Sequence, residues 1–458
     1  MSATDLGRPR QDRAATLDRF ATLDGPVPDR SALERPLLDR FSEALSATTM
    51  GPRLATVGLG GPCHVLDAKL EPGVRAVVLY ECGGRLVRGD LLGVGAATPS
   101  AGLVVEPGVS LSPFPLDPDL PSLPRVTDPR HLGPELASVL GGTGRPRLGH
   151  PERLAIDILR YRPGKRLTAR LRHPGLDGPL VAKAYHDDAK ATAVATEAVQ
   201  VTAASQASCR GGRGAGLLAF APPVGSAPCL GVVFQEAVRG LALDDLLGSR
   251  HPVTATTVTG AARAGAALAE LHDLSLPTGR QRPVEAELLR FAQRSERVAA
   301  VRPQLGESMG ALADRLVEVL RTLAPPRTGP VHGDFKPGQL LLRGDRVVLL
   351  DLDHLGTADQ AVDAGTFIAS LRQQAVRSRL AGRPPQDEEM EALSRALLEG
   401  YLRAGGPVDQ LPRIRWHVAV ALERKALRAF ARSPRSPFPA LLVDEAQRCL
   451  RALDGERP

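Results

Sequence analysis

Aromatic side chains are scarce in this chain: one Trp, four Tyr and ten Phe among 458 residues. Proteins that hold single strands stack bases on such rings, so the scarcity argues against nucleic acid as a partner. A formal net charge of +7 does not restore that reading, because the arginines, which far outnumber the lysines, are scattered instead of gathered into a basic run. Cys63, Cys82, Cys209, Cys229 and Cys449 are odd in number and never fall in a C-x-x-C spacing. That pattern gives no zinc site and fits reduced thiols. No apolar run reaches the ~20 residues that span a bilayer. The opening Met1-Ser2-Ala3-Thr4-Asp5-Leu6 has no apolar secretory core. These absences lead to the expectation of a cytoplasmic protein with neither membrane nor nucleic acid as partner.

What the chain does have is length, small residues and clear punctuation. Its 458 residues, 43% of them hydrophobic, allow two or three domains with a sizeable core. Residues 1–30 mix Asp, Arg, Thr and Pro with weak periodicity and are expected to be flexible. From Ser31 to Leu45, the positions Leu33, Leu37, Leu38, Phe41 and Leu45 make one apolar helical face, expected to begin near Pro36. The segments His64–Leu70 and Arg75–Tyr80 flank Pro72-Gly73 and read as strand, turn, strand. The pattern returns as Ile156–Tyr161, the turn Arg162-Pro163-Gly164-Lys165, and Arg166–Leu171. It is either a partial internal repeat or two instances of a common hairpin. Between them, Pro107 to Pro134 is dense in Pro, Asp and Gly and reads as an extended linker. The chain therefore divides into a flexible stretch 1–30, an α+β cap domain 31–140, a β-rich unit 150–240 and a helical unit 241–458.

The chemistry concentrates in one stretch. Val331-His332-Gly333-Asp334-Phe335-Lys336-Pro337-Gly338-Gln339 runs into Leu340-Leu341-Leu342, a turn at Arg343-Gly344-Asp345, the strand Val347–Leu350, and Asp351-Leu352-Asp353. A polar loop, a tight hairpin and an acid at the mouth of a buried strand suit phosphoryl transfer. That reaction asks for one carboxylate facing an acceptor hydroxyl and for oxygen ligands that hold magnesium against nucleotide phosphates. Asp334 fits the first task, and Asp351 with the amide of Gln339 fits the second. At these residues the chain resembles the kinase-like phosphotransferases, the aminoglycoside phosphotransferase, choline kinase and maltokinase group, whose catalytic loop reads H-G-D-x-x-x-x-N. Gln339 stands where that group usually has Asn, and it offers the same amide oxygen on a longer stem.

The resemblance implies an α+β, two-lobed protein-kinase-like fold, with 150–240 as the small lobe and 241–458 as the helical large lobe. It implies ATP and Mg2+, and a small-molecule hydroxyl as acceptor. Lys183, in the strand Leu180–Tyr185, matches the lysine that contacts nucleotide phosphates, and Glu197 is the acid expected to orient it. Gln235 and Glu236 match the hinge that meets adenine. Arg162 and Lys165 stand at a hairpin tip where kinases carry a glycine-rich loop. His332 is expected to hold the catalytic loop, and Lys336 to offset charge on the transferring phosphate. Asp359 and Asp363 read as braces for the loop or caps for the next helix. Tyr401, Trp416, His417 and Glu423 could line the acceptor pocket or simply pack. A protein kinase is disfavoured, since Gly333 replaces Arg, Asp351 is not in D-F-G and no A-P-E follows. The missing glycine-rich loop and Gln339 motivate one alternative, a nucleotide-binding pseudokinase.

Overall fold

The computed structural model describes residues 31–55, 58, 61–93, 103–106, 108–144, 148–210, 216–247, 253–276, 280–384, 386–453 and 455. The stretch 1–30, expected to be flexible, lies outside the described residues. Helices α1 (Ser31–Ala44) and α2 (Ala47–Ala55) come first, and α1 starts ahead of Pro36. Gly73, with φ at 73°, takes the left-handed conformation that glycine adopts without strain. It turns β1 (Cys63–Glu71) into β2 (Arg75–Cys82). With β3 (Arg85–Leu92), β4 (Leu103–Glu106) and β5 (Val109–Pro113), these form an antiparallel sheet of order β1-β2-β3-β5-β4. Phe41 and Leu54 of the helices bury against Val78, Tyr80 and Leu111 of the sheet.

The expected extended linker is instead folded. Pro124 and Pro129 sit at helix starts, where a missing N–H costs nothing, and open α3 (Leu123–Val126) and α4 (Pro129–Gly142). Asp128 caps α4 by accepting the Arg130 N–H at 2.9 Å. Between the prolines, Leu120, Leu123, Leu132 and Leu136 are each 0% exposed. They pack with Leu167, Ala182 and Phe234 of the following sheet. Burial of those leucines overrides the compositional signal, since each contributes about 1.5–3 kcal/mol.

That second sheet is built from β6 (Ala155–Arg162), β7 (Arg166–Arg172) and β8 (Leu180–Tyr185). After helix α5 (Asp188–Arg210) and β9 (Leu218–Phe220), β10 (Pro223–Ala227) and β11 (Val232–Glu236) complete it. Its order is β10-β11-β8-β7-β6, with antiparallel neighbours throughout. Lys183 lies on the central strand β8, opposite Val233 and Thr168.

The remainder is mostly helical: β12 (Leu241–Ala242), α6 (Leu243–Leu246), α7 (Ala255–His272), α8 (Val284–Ala299) and α9 (Pro303–Leu320). Then follow β13 (Thr328–Val331), β14 (Leu340–Arg343), β15 (Arg346–Leu349) and β16 (Gly356–Asp359). Four helices close the chain, α10 (Ala361–Leu380), α11 (Asp387–Arg403), α12 (Leu411–Arg432) and α13 (Phe438–Leu453). Thr254 and Thr257 form a capping box at the start of α7. Pro303 opens α9 just after α8 ends, and any Cβ on Gly306 would come within 2.2 Å of the Ala299 nitrogen. Trp416 is fully buried and donates from Nε1 to the Leu316 carbonyl at 3.0 Å. Tyr401, His417 and Glu423 are buried as well, so packing, not pocket lining, describes these four. The described residues thus form an α+β arrangement of a β-rich lobe and a helical lobe, with an additional N-terminal α+β unit.

Candidate active site

The loop between β13 and β14 is held from below. Asp363 on α10 accepts the backbone N–H of His332 at 2.7 Å and of Gly333 at 2.8 Å. Gly333 has φ at 77°, and a Cβ there would meet the His354 carbonyl oxygen at 2.5 Å. His332 is buried, its Nε2 2.8 Å from the Leu350 carbonyl and its Nδ1 3.2 Å from the Asp334 N–H. A carbonyl can only accept and an amide can only donate, so the ring carries its proton on Nε2. One imidazole thus ties the residue before Asp351 to Asp334. Asp334 itself is paired with Lys336. Burial pushes its carboxyl up, but Lys336 and Arg428 outweigh burial and hold it below the usual carboxylate range.

Asp351 ends the hairpin strand with φ at 60°, a left-handed conformation that costs a non-glycine residue roughly 1–3 kcal/mol and concentrates at functional sites. Its Oδ1 accepts from Lys183 Nζ at 2.9 Å and from Arg166 Nη1 at 2.8 Å. Its Oδ2 accepts from Gln339 Nε2 at 3.2 Å and from Arg166 Nη2 at 3.2 Å. Burial alone would raise this carboxyl; Lys183 and Arg166 drive it far below its ordinary value. Asp353, also buried, takes the Tyr185 hydroxyl at 2.7 Å, Lys183 Nζ at 3.4 Å and Arg166. The spacing of Asp351 and Asp353 was the signal in the sequence for this second acid. Arg166 and Tyr185 had none, because they meet only through the β7–β8 register.

The expected pairing of Lys183 with Glu197 is not made. Asp351 and Asp353 occupy the ammonium, while Glu197 on α5 stands 3.9 Å from Arg280 with Oε2 buried and without a partner among the described residues. Arg280 wins that contest because it is anchored beside the acid, donating to the Asp353 carbonyl at 3.0 Å. Gln235 and Glu236 end β11, where the Glu236 N–H donates to the Pro222 carbonyl at 2.9 Å and the Ala237 N–H to Pro179 at 3.0 Å. The hairpin tip of Arg162 and Lys165 is gripped by the N-terminal unit. Asp117 accepts the Gly164 N–H at 2.8 Å and the Tyr161 hydroxyl at 2.7 Å. Neither cation of the tip touches Asp351; both lie within electrostatic reach of α12, through Arg432 for each and Arg428 for Lys165.

Residues 227–417 match the family described as the phosphotransferase enzyme family, APH. The match contains β11, the His332–Gln339 loop, the hairpin, Asp351 and Asp353. No curated protein matches the chain. Among solved structures, one of glucosamine kinase with glucosamine, ADP and inorganic phosphate is 19% identical over 89% of this chain and 98% of that chain, with a TM-score of 0.43. A choline/ethanolamine kinase family protein from Mesorhizobium loti is 16% identical over 65% of this chain and 87% of that chain, with a TM-score of 0.38. Amicoumacin kinase in complex with AMP-PNP, calcium and amicoumacin is 13% identical over 69% and 93%, with a TM-score of 0.44. Among the described residues, no helix is long and apolar enough to cross a membrane.

Proposed function

We propose that this protein transfers the γ-phosphate of ATP to a hydroxyl of a small molecule, with Asp334 as the base. The observation that supports it most is the convergence of Lys183, from the β-rich lobe, on Asp351 and Asp353 of the helical lobe at 2.9 and 3.4 Å. A lysine and two acids meeting across a cleft are the parts that seat a metal-bound triphosphate. The oxygen donors fit magnesium, which takes one or two carboxylates and completes its shell with water and phosphate. Asp351, the Gln339 amide and Asp353 would hold it, and when bound it neutralises charge on the β- and γ-phosphates. Lys183 and Arg166 would then turn from the acids to phosphate oxygens.

Asp334 receives the acceptor proton as the new oxygen–phosphorus bond forms and the bond to the ADP oxygen breaks. Its depressed pKa keeps it ionised and ready to orient the hydroxyl. Lys336, in contact with Asp334, offsets charge on the moving phosphoryl group. His332 positions the loop through its two ring nitrogens and moves no proton. ADP release over a panel of sugars, sugar acids, amino sugars, aminoglycosides, macrolides and choline tests the reading. Asp334→Asn should abolish turnover and leave ATP binding intact. A wild-type protein that binds magnesium-ATP yet turns over no acceptor would establish the pseudokinase instead.

A further inference from the structure

The thiols of Cys63 and Cys82 face each other across the first ladder of the N-terminal unit. They are register partners on β1 and β2, and the Cys82 thiol donates to the Cys63 sulfur at 3.1 Å. Both are free, Cys82 buried and Cys63 half-buried. The backbone draws the two strands together at that end. Gly83, one residue past Cys82, donates its N–H to the Pro62 carbonyl at 3.0 Å. A Cβ on Gly61 would stand 3.0 Å from the Gly83 Cα, so this close approach needs glycine at position 61.

The bond from Gly83 to Pro62 fixes what kind of pair comes next. Hydrogen-bonded and non-hydrogen-bonded pairs alternate along an antiparallel ladder, so Cys63 and Cys82 form a non-hydrogen-bonded pair. Pairs of that kind hold their Cα atoms about 4.5 Å apart, and a disulfide needs roughly 4.4–6.8 Å. The backbone is already set for closure. Burial pushes the Cys82 thiol up to about 12, and Cys63 beside it adds to the rise. A buried thiol in that state leaves the attack on an outside oxidant to Cys63.

We propose that Cys63 and Cys82 are a modification site, closed to a reversible disulfide by a small-molecule disulfide such as glutathione disulfide. Cys63 displaces one glutathione and becomes a mixed disulfide; Cys82 then attacks the Cys63 sulfur and displaces the second. Two protein thiols become one disulfide. One glutathione disulfide becomes two glutathione thiols, which carry away the two protons. The link joins residues 19 positions apart and so restricts the unfolded chain. The strands that it clamps have further duties. Tyr80 on β2 donates to the Ala44 carbonyl at 2.9 Å and ties α1 to the sheet. At the other end of β2, Arg75 donates to Asp119 at 3.0 Å. Asp119 shares Arg88 with Asp117, the residue that grips the hairpin tip. Oxidation therefore stabilises the unit against which that hairpin rests.

The test incubates the full chain with glutathione disulfide, alkylates the thiols that stay free and digests with trypsin without reduction. Mass spectrometry should find the peptides 54–69 and 76–85, which hold Cys63 and Cys82, joined as one species lighter than their sum by the two hydrogens lost. In scanning calorimetry the oxidised protein should melt about 3 °C higher or more, and dithiothreitol should return it to the reduced value. Cys63→Ser, made at the half-buried member, should abolish both the joined peptide and the shift. Replacing the exposed Cys209 and Cys229 by Ser should keep both. Recovery of Cys63 and Cys82 as alkylated thiols or separate glutathione adducts overturns the proposal. So does a joined peptide that forms no faster in the native protein than in guanidine, because the fold would then contribute nothing. A link that leaves Tm unchanged overturns the clamp.

Discussion

Lys183 Nζ lies 2.9 Å from Asp351 Oδ1, a contact that spans 168 residues and joins the two lobes. Glu197, the acid expected to orient this lysine, pairs with Arg280 instead. The two residues therefore carry unequal weight. Lys183→Met should lower kcat/KM for ATP by about 10²-fold or more, the usual cost of removing one aimed donor from a phosphoryl site. Glu197→Gln should stay within about tenfold, because the ammonium keeps both aspartates. Steady-state kinetics at fixed acceptor distinguishes the pair, and a Glu197 effect equal to that of Lys183 would restore the expected assignment.

Asp363 makes a narrower case. It is 0% exposed and accepts two adjacent backbone N–H groups, of His332 and Gly333, one on each oxygen. Asn can accept with only one of its two terminal atoms, so Asp363→Asn aims an NH2 at an amide donor and shifts the loop. A displacement near 1 Å costs roughly 10²-fold in rate. The expected outcome is a fall in kcat of that order with the KM for ATP nearly unchanged, since Lys183 and Asp351 are untouched. A parallel rise in the KM for ATP would mean that Asp363 supports more than the loop.

These residues also mark how far the sequence could be read. The His332–Gln339 loop and Asp351 were legible because phosphoryl chemistry restricts both residue type and spacing, and the intervening hairpin is local. Arg166 and Tyr185 were not, since they face Asp353 only once β7 and β8 are in register. Glu197 misled because a strand-then-helix order says nothing about a competing Arg280 far along the chain. The Pro107–Pro134 stretch misled for another reason. Proline reads as loop in composition, yet at the first turn of a helix it is stabilising.

The N-terminal unit reaches the candidate site through Asp117. One of its oxygens takes Tyr161 and Gly164, and the other takes Arg88, which is 1% exposed and also bonded to Asp90 at 2.8 Å and Asp119 at 2.7 Å. Removing one partner from such a buried network costs about 3–5 kcal/mol, because the remaining charge stays desolvated. Asp117→Ala should lower Tm sharply and also raise the KM for ATP, as the hairpin tip loses its tether. Asp117→Asn, which keeps the volume and one acceptor, should lower both effects. Differential scanning calorimetry with ATP kinetics tests the coupling, and a Tm loss without any change in KM would confine the network to stability.

Glu423 contributes its own pH dependence to stability. It is 0% exposed on α12, and neither carboxyl oxygen has a hydrogen-bond partner among the described residues. Burial pushes its carboxyl from an ordinary 4.5 up to about 8. At neutral pH the folded protein thus keeps this proton and the unfolded chain has lost it. For this group the unfolded state binds fewer protons, so its contribution to stability falls as pH rises between about 4.5 and about 8. The slope approaches ~1.4 kcal/mol per pH unit in that window. Below the window both states are protonated, and above it both are ionised with the penalty complete. Glu423→Gln keeps the shape and removes the titration, so its Tm should match the wild type near pH 5 and exceed it increasingly toward pH 8. Arg424 and Lys425 follow Glu423 directly in sequence, so Glu423→Leu serves as a second variant in which no polar group is left to repair the site. Parallel Tm profiles for wild type and both variants would show that the glutamate is not a buried, neutral acid.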